Sequence, residues 1–134
     1  MSEFVDTYAF LAWLNARDSE HARVKSYLDG FRGKLVTTEW VLVEVVDAFS
    51  IPPARETISN FLPLLRNDPM FDIVPYSTAS YQAGFELFTK RKDKSWSLTD
   101  CISFAVMQRQ KLTNALTADH HFEQAGFRPV FKKV

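Results

Sequence analysis

Short apolar runs of about four or five residues return along this chain, and each interval between them carries apolar positions at helical spacing. That alternation constrains the fold more than any other feature. Strand–helix–strand units of this length build a mostly parallel sheet with helical crossovers, and right-handed crossovers place helices on both faces. The spacing predicts about five strands: Glu3 to Asp6, Lys34 to Thr37, Phe71 to Pro75, Ala115 to Ala118 and Pro129 to Lys132.

Helices fill the gaps. Phe10, Leu11, Trp13 and Leu14, then Val24, Tyr27 and Leu28 before Gly30, make the first crossover a helix pair. Val41, Leu42, Val45, Val46 and Phe49 mark a helix that must stop at Pro52-Pro53, and helical character resumes over Ala54 to Arg66, with Pro63 as a predicted kink. Ala79 to Lys90 forms the next helix, Ser97 opens one through Arg109, and Asp119 opens a short one closed by Gly126.

A chain of 134 residues fits one domain spanning 1–134, and 46% apolar with 24% charged residues excludes disorder and fibrous repeats. Sixteen basic and sixteen acidic residues cancel, so the whole surface lacks the basic excess of a dedicated nucleic-acid binder. Lys90, Arg91, Lys92 and Lys94 are a local exception, read first as a solvated helix end and second as a phosphate contact. Cys101, the lone cysteine, forms no internal disulfide, and neither a leader nor a stretch of roughly 20 apolar residues is present, so the expectation is a cytoplasmic protein without a membrane anchor.

Four acids stand where apolar runs meet turns or helix starts: Asp6, Glu44, Asp100 and Asp119. Asp6 and Asp119 follow strands, the edge at which open α/β sheets place ligands. Each acid has a plain structural explanation: Asp100 suits a capping box with Ser97, Asp119 an N-cap, Asp6 the start of the first helix. Glu44, flanked by Val43 and Val45, is the hardest to explain so. Gathered in one cleft, two carboxylates ~4 Å apart would repel by about 4 kcal/mol at an effective dielectric near 20. A divalent cation removes that cost. With no cysteine or histidine spacing for zinc, the donor set favours an oxygen-seeking ion such as Mg²⁺, and with it phosphoryl chemistry.

The segments Phe4 to Leu14 (FVDTYAFLAWL), Thr37 to Val45 (TTEWVLVEV), Trp96 to Met107 (WSLTDCISFAVM) and Ala115 to Phe127 (ALTADHHFEQAGF) resemble, in order and over nearly the whole chain, the motifs of PIN-domain ribonucleases. The resemblance extends to the single-domain VapC-type toxins of toxin–antitoxin modules. It implies a three-layer α/β/α fold and Mg²⁺- or Mn²⁺-dependent hydrolysis of RNA. It also implies a homodimer and a small antitoxin partner whose tail occupies the cleft. Position by position, Asp6, Glu44 and Asp100 match the core acids and Asp119 the fourth, with Thr7 and Thr117 at accompanying hydroxyl positions.

Other residues read more plainly. His120 and His121 point to different faces and are read as an exposed helix start, Cys101 as a buried filler, and most of the twelve phenylalanines and three tryptophans as core. Trp96 is expected either to plug the cleft edge or to stack on a base. A noncatalytic RNA- or protein-binding module is the main alternative function. An aspartyl-phosphate phosphatase would want a second aspartate two positions after the first, where Tyr8 stands; a receiver domain would gather its acids early, whereas Asp100 and Asp119 come late.

Overall fold

The computed structural model describes residues 1–133. Its strands are β1 (Ser2–Val5), β2 (Lys34–Thr38), β3 (Phe71–Val74), β4 (Asn114–Leu116) and β5 (Arg128–Pro129). Its helices are α1 (Thr7–Leu14), α2 (His21–Gly30), α3 (Glu39–Ala48), α4 (Ala54–Arg66), α5 (Thr78–Lys90), α6 (Leu98–Arg109) and α7 (His120–Gln124). The five strands form one sheet in the order β3-β2-β1-β4-β5, parallel throughout.

Parallel pairing aligns every carboxyl end on one edge. β1 is central, registered through Phe4 against Val36 on one side and Ala115 on the other. The chain steps outward from β1 to β3, then crosses to β4 and continues outward to β5, so right-handed crossovers put α1–α4 on one face and α5–α7 on the other. Side chains of β1 report the two faces. Phe4 packs on Phe122 of α7, whereas its neighbour Glu3 accepts a hydrogen bond from Tyr27 of α2. The result is the expected three-layer α/β/α arrangement, with Phe4, Val5, Val36, Ala115 and Leu116 buried between the layers.

Two expectations need correction. The last strand begins at Arg128 and lasts two residues instead of running from Pro129 to Lys132: Val130 and Phe131 still donate to Ala115 and Thr117 carbonyls, but the chain is already turning. β1 ends at Val5 because Asp6 leaves the ladder for the N-cap position of α1, its carbonyl accepting from the Ala9 amide while its side chain makes no capping hydrogen bond.

Aromatic residues of α5 also depart from the core reading, Phe85 being 47% and Phe88 44% exposed. The face of α5 that packs on α6 is made of Ser80 and Gly84, where a Cβ on Gly84 would lie 2.9 Å from the Ile102 backbone. Close backbone approach selects the small-residue stripe, and the adjacent aromatic stripe turns outward. Trp96, by contrast, is buried. Its ring meets Phe104 edge-on, with centroids 5.1 Å apart, and its Nε1–H donates to Gln124 at 3.0 Å. It plugs the junction of α6 and α7 and leaves no face for a base.

Candidate functional site

Each of the four acids owes its position to the end of a secondary-structure element. Asp6 is the N-cap residue of α1 directly after β1, and Glu44 lies in the second turn of α3, which starts where β2 stops. Asp100 is the third residue of α6. There it completes a capping box: Ser97 Oγ accepts from the Asp100 amide at 3.0 Å, and Asp100 Oδ2 accepts from the Ser97 amide at 3.2 Å. Asp119 caps α7, its Oδ1 accepting from the His121 amide at 2.9 Å. The local capping explanations for Asp100 and Asp119 are therefore correct, yet both residues also open on shared space.

That space is a cavity of about 530 Å³ lined by Asp6, Thr7, Tyr8, Glu44, Asp100, Thr117, Ala118, Asp119 and Lys133. All four acids and both threonines singled out in the sequence border it. Tyr8 and Lys133 were not anticipated. Tyr8 follows Thr7 directly and could have been inferred from it, whereas nothing in the sequence around Lys133 marks it.

The two hydroxyls hold the acids. Thr7 Oγ1 donates to Glu44 Oε1 at 2.6 Å, joining the start of α1 to α3. Thr117 Oγ1 donates to Asp6 Oδ2 at 3.0 Å and accepts from the Asp119 amide at 3.1 Å, so one side chain fixes two of the four acids.

Burial dominates the electrostatics. It pushes the Asp6 carboxyl up to about 7, against the hydrogen bonds from Thr7 and Thr117, and the Asp100 and Glu44 charges push the same way. Asp100 is also raised, first by burial; the Asp119 charge adds to this, while the Ser97 amide and His121 oppose it. Carboxylates that raise one another in a shared cavity are stabilised by a cation. The donor set facing this cavity is carboxylate and hydroxyl oxygen without a thiolate, which fits a hard divalent ion.

Several other charged groups pair away from the cavity. Lys90 pairs with Glu86 at 2.9 Å, Arg91 with Asp93 at 3.0 Å, and Lys94 approaches Asp93 at 3.9 Å, so two carboxylates offset about half of the charge of the four-residue basic run. Glu39 grips Arg66 through two 2.7 Å bonds. Cys101 is buried and its thiol is pushed up to about 11. None of the described helices is long and apolar enough to cross a membrane.

The described residues thus form a parallel three-layer fold with an acid-lined cavity at the carboxyl edge of its sheet. The PIN domain family matches residues 4–128, and the chain belongs to that family. No curated protein matches the chain by sequence. Among solved structures it is similar to VapC20 of Mycobacterium tuberculosis, a sarcin-ricin loop cleaving toxin, at 23% identity with a TM-score of 0.87 over 96% of this chain and 98% of that one. It is also similar to FitAcB from Neisseria gonorrhoeae, at 17% identity and a TM-score of 0.70 over 95% of each chain. VapBC2 from Rickettsia felis, solved on a DNA fragment from its promoter, shares 14% identity and a TM-score of 0.68 over 96% and 97%. At these identities the likeness is one of fold.

Proposed function

We propose that this chain is a divalent-metal-dependent endoribonuclease, the toxin of a type II toxin–antitoxin pair. One observation carries the reading: four carboxylates drawn from distant parts of the sequence border a single cavity, in a chain of the PIN domain family. The fold likeness to a toxin that cleaves the sarcin-ricin loop supports RNA as the substrate class, and the likeness to VapBC2 supports a small antitoxin partner. A homodimer is part of the same proposal.

In this reading Asp6 and Asp100 hold Mg²⁺ or Mn²⁺ directly, while Glu44 and Asp119 act through water or orient it. When bound, the ion supplies Lewis-acid stabilisation of the attacked phosphate and a water of lowered pKa. Everything else falls to the chain. Thr7 keeps Glu44 in place, Thr117 spaces Asp6 from Asp119, and burial keeps Asp6 poised to give up a proton when a cation arrives. No side-chain nucleophile is required, which agrees with Cys101 being buried and protonated.

The test is cleavage of a mixed pool of structured RNAs by the parent and by the Asp6→Asn/Asp100→Asn protein, with Mg²⁺, with Mn²⁺ and with chelator. Metal-dependent cleavage by the parent, lost in a folded double variant, is the expected result. Cleavage that survives in the double variant would overturn the assignment of the site. If the parent neither cleaves nor binds either metal, the noncatalytic RNA- or protein-binding module takes its place.

A further inference from the structure

Two histidines follow Asp119, and they differ sharply. The His120 side chain is 72% exposed, whereas His121 Nδ1 is fully buried and has no hydrogen-bond partner of good geometry among the described residues. That nitrogen lies 3.4 Å from Asp100 Oδ2 and 3.5 Å from Asp119 Oδ1. Strong N–H···O bonds are about 2.9–3.0 Å, so both contacts are somewhat long. A bare lone pair facing two carboxylate oxygens would be repelled by both, and a proton on Nδ1 makes both contacts attractive. The surroundings therefore select the Nδ1–H tautomer, and a neutral ring is sufficient.

The oxygens that face His121 are the ones already engaged with backbone. Asp100 Oδ2 accepts from the Ser97 amide, and Asp119 Oδ1 accepts from the His121 amide itself. The other oxygens, Asp100 Oδ1 and Asp119 Oδ2, accept no hydrogen bond from the described residues. His121 is not among the residues lining the cavity. Its ring stands behind the two carboxylates.

We infer that His121 is a positioning residue whose Nδ1–H bridges Asp100 and Asp119 from behind, fixing the first turn of α6 against the cap of α7 and leaving one oxygen of each aspartate free for a cation. The inference rests on the metal-site reading above and adds to it the group that sets the spacing of two of its acids. Groups that orient metal-binding side chains in this way typically change metal affinity by about 10–100-fold when removed.

Calorimetric titration of Mn²⁺ into four folded proteins tests it: the parent, His121→Ala, His121→Asn and Asp100→Asn. His121→Ala should bind about 10- to 100-fold more weakly. His121→Asn, whose amide places a donor near the Nδ1 position, should recover most of the loss, a rescue that a merely space-filling role would not give. Parent-like affinity in His121→Ala, with binding lost in Asp100→Asn, overturns the positioning role and leaves the metal site standing. Parent-like affinity in Asp100→Asn overturns the site, and the role of His121 with it. Nitrogen NMR of the unmodified protein decides the matter even if a variant fails to fold: the inference requires His121 Nδ1 to carry the proton, and a proton found on Nε2 alone refutes it.

Discussion

Asp6→Asn should stabilise the metal-free protein while removing the proposed cleavage. Asp6 is 7% exposed as a residue, and its carboxyl is held near 7, against 3.8 for an unperturbed aspartate, chiefly by burial. Below pH 3.8 the group is protonated in folded and unfolded chains alike and favours neither. Between 3.8 and about 7 the folded chain keeps a proton that the unfolded chain releases, so native stability falls as pH rises, and above that window the loss is constant. At ~1.4 kcal/mol per pKa unit the full loss is about 4 kcal/mol, and roughly 3 kcal/mol of it accrues above pH 5. Asparagine carries no such cost, and its amide oxygen can still accept from Thr117 Oγ1. Urea unfolding of parent and variant in chelator at pH 5 and pH 8 reads the effect, because titrating groups remote from Asp6 cancel in the difference and burial outweighs the coupling to Asp100 and Glu44. The advantage of the variant should grow by about 2–3 kcal/mol between the two pH values. Saturating Mn²⁺ should reverse the order by stabilising the parent alone. A pH-independent difference, or a variant less stable than the parent at pH 8 without metal, would refute the argument that ionised Asp6 is a buried, uncompensated charge.

Three further outcomes follow from the packing and surface chemistry. Gly84→Ala should cost about 1–2 kcal/mol in urea unfolding, since an added methyl meets the Ile102 backbone and the gain in helix propensity of ~1 kcal/mol offsets only part of the strain. Cys101, buried and with its thiol near 11, should resist iodoacetamide at pH 8 in the native protein and react once guanidinium unfolds it; mass spectrometry of the two samples reads the difference. Arg66→Ala should lower stability by about 1 kcal/mol, an effect that shrinks in 1 M salt, because the Arg66 side of the Glu39 pair is exposed.

The order of elements was legible because hydrophobic period changes between strand and helix, and that change does not depend on tertiary context. What the period could not decide was which of two adjacent stripes of α5 faces inward. Tyr81, Phe85 and Phe88 recur at helical spacing and are the more apolar set, but Ser80 and Gly84 let α5 approach α6 closely. Trp96 was open between plugging the cleft edge and stacking on a base, and packing decided it: Arg91 lies over its ring at 5.1 Å and the indole is buried beneath. For α5 a contact distant in sequence overrode the local pattern, and for Trp96 such contacts chose between the two alternatives.

The acids were legible for a reason that belongs to the topology. In a sheet ordered β3-β2-β1-β4-β5, the chain leaves β1 toward one face and β4 toward the other, so the loops after these neighbouring strands diverge and open a crevice at their carboxyl ends. Asp6 and Asp119 stand in those loops, one and three residues beyond their strands. Two helices complete the ring. α3 begins immediately after β2, the other neighbour of β1, and carries Glu44 back over the sheet edge, while α6 presents Asp100 through its own capping box. An acid at a helix start costs little even when no cation is near, since capping and the helix dipole favour it there. Asp100 and Asp119 can thus serve as caps in the apo chain and remain available to a metal. Asp6 is the exception, buried at the centre of the ring and raised to about 7. The cost of assembling the site therefore falls mainly on one residue, which is why its removal, more than that of any other acid, should separate stability from activity.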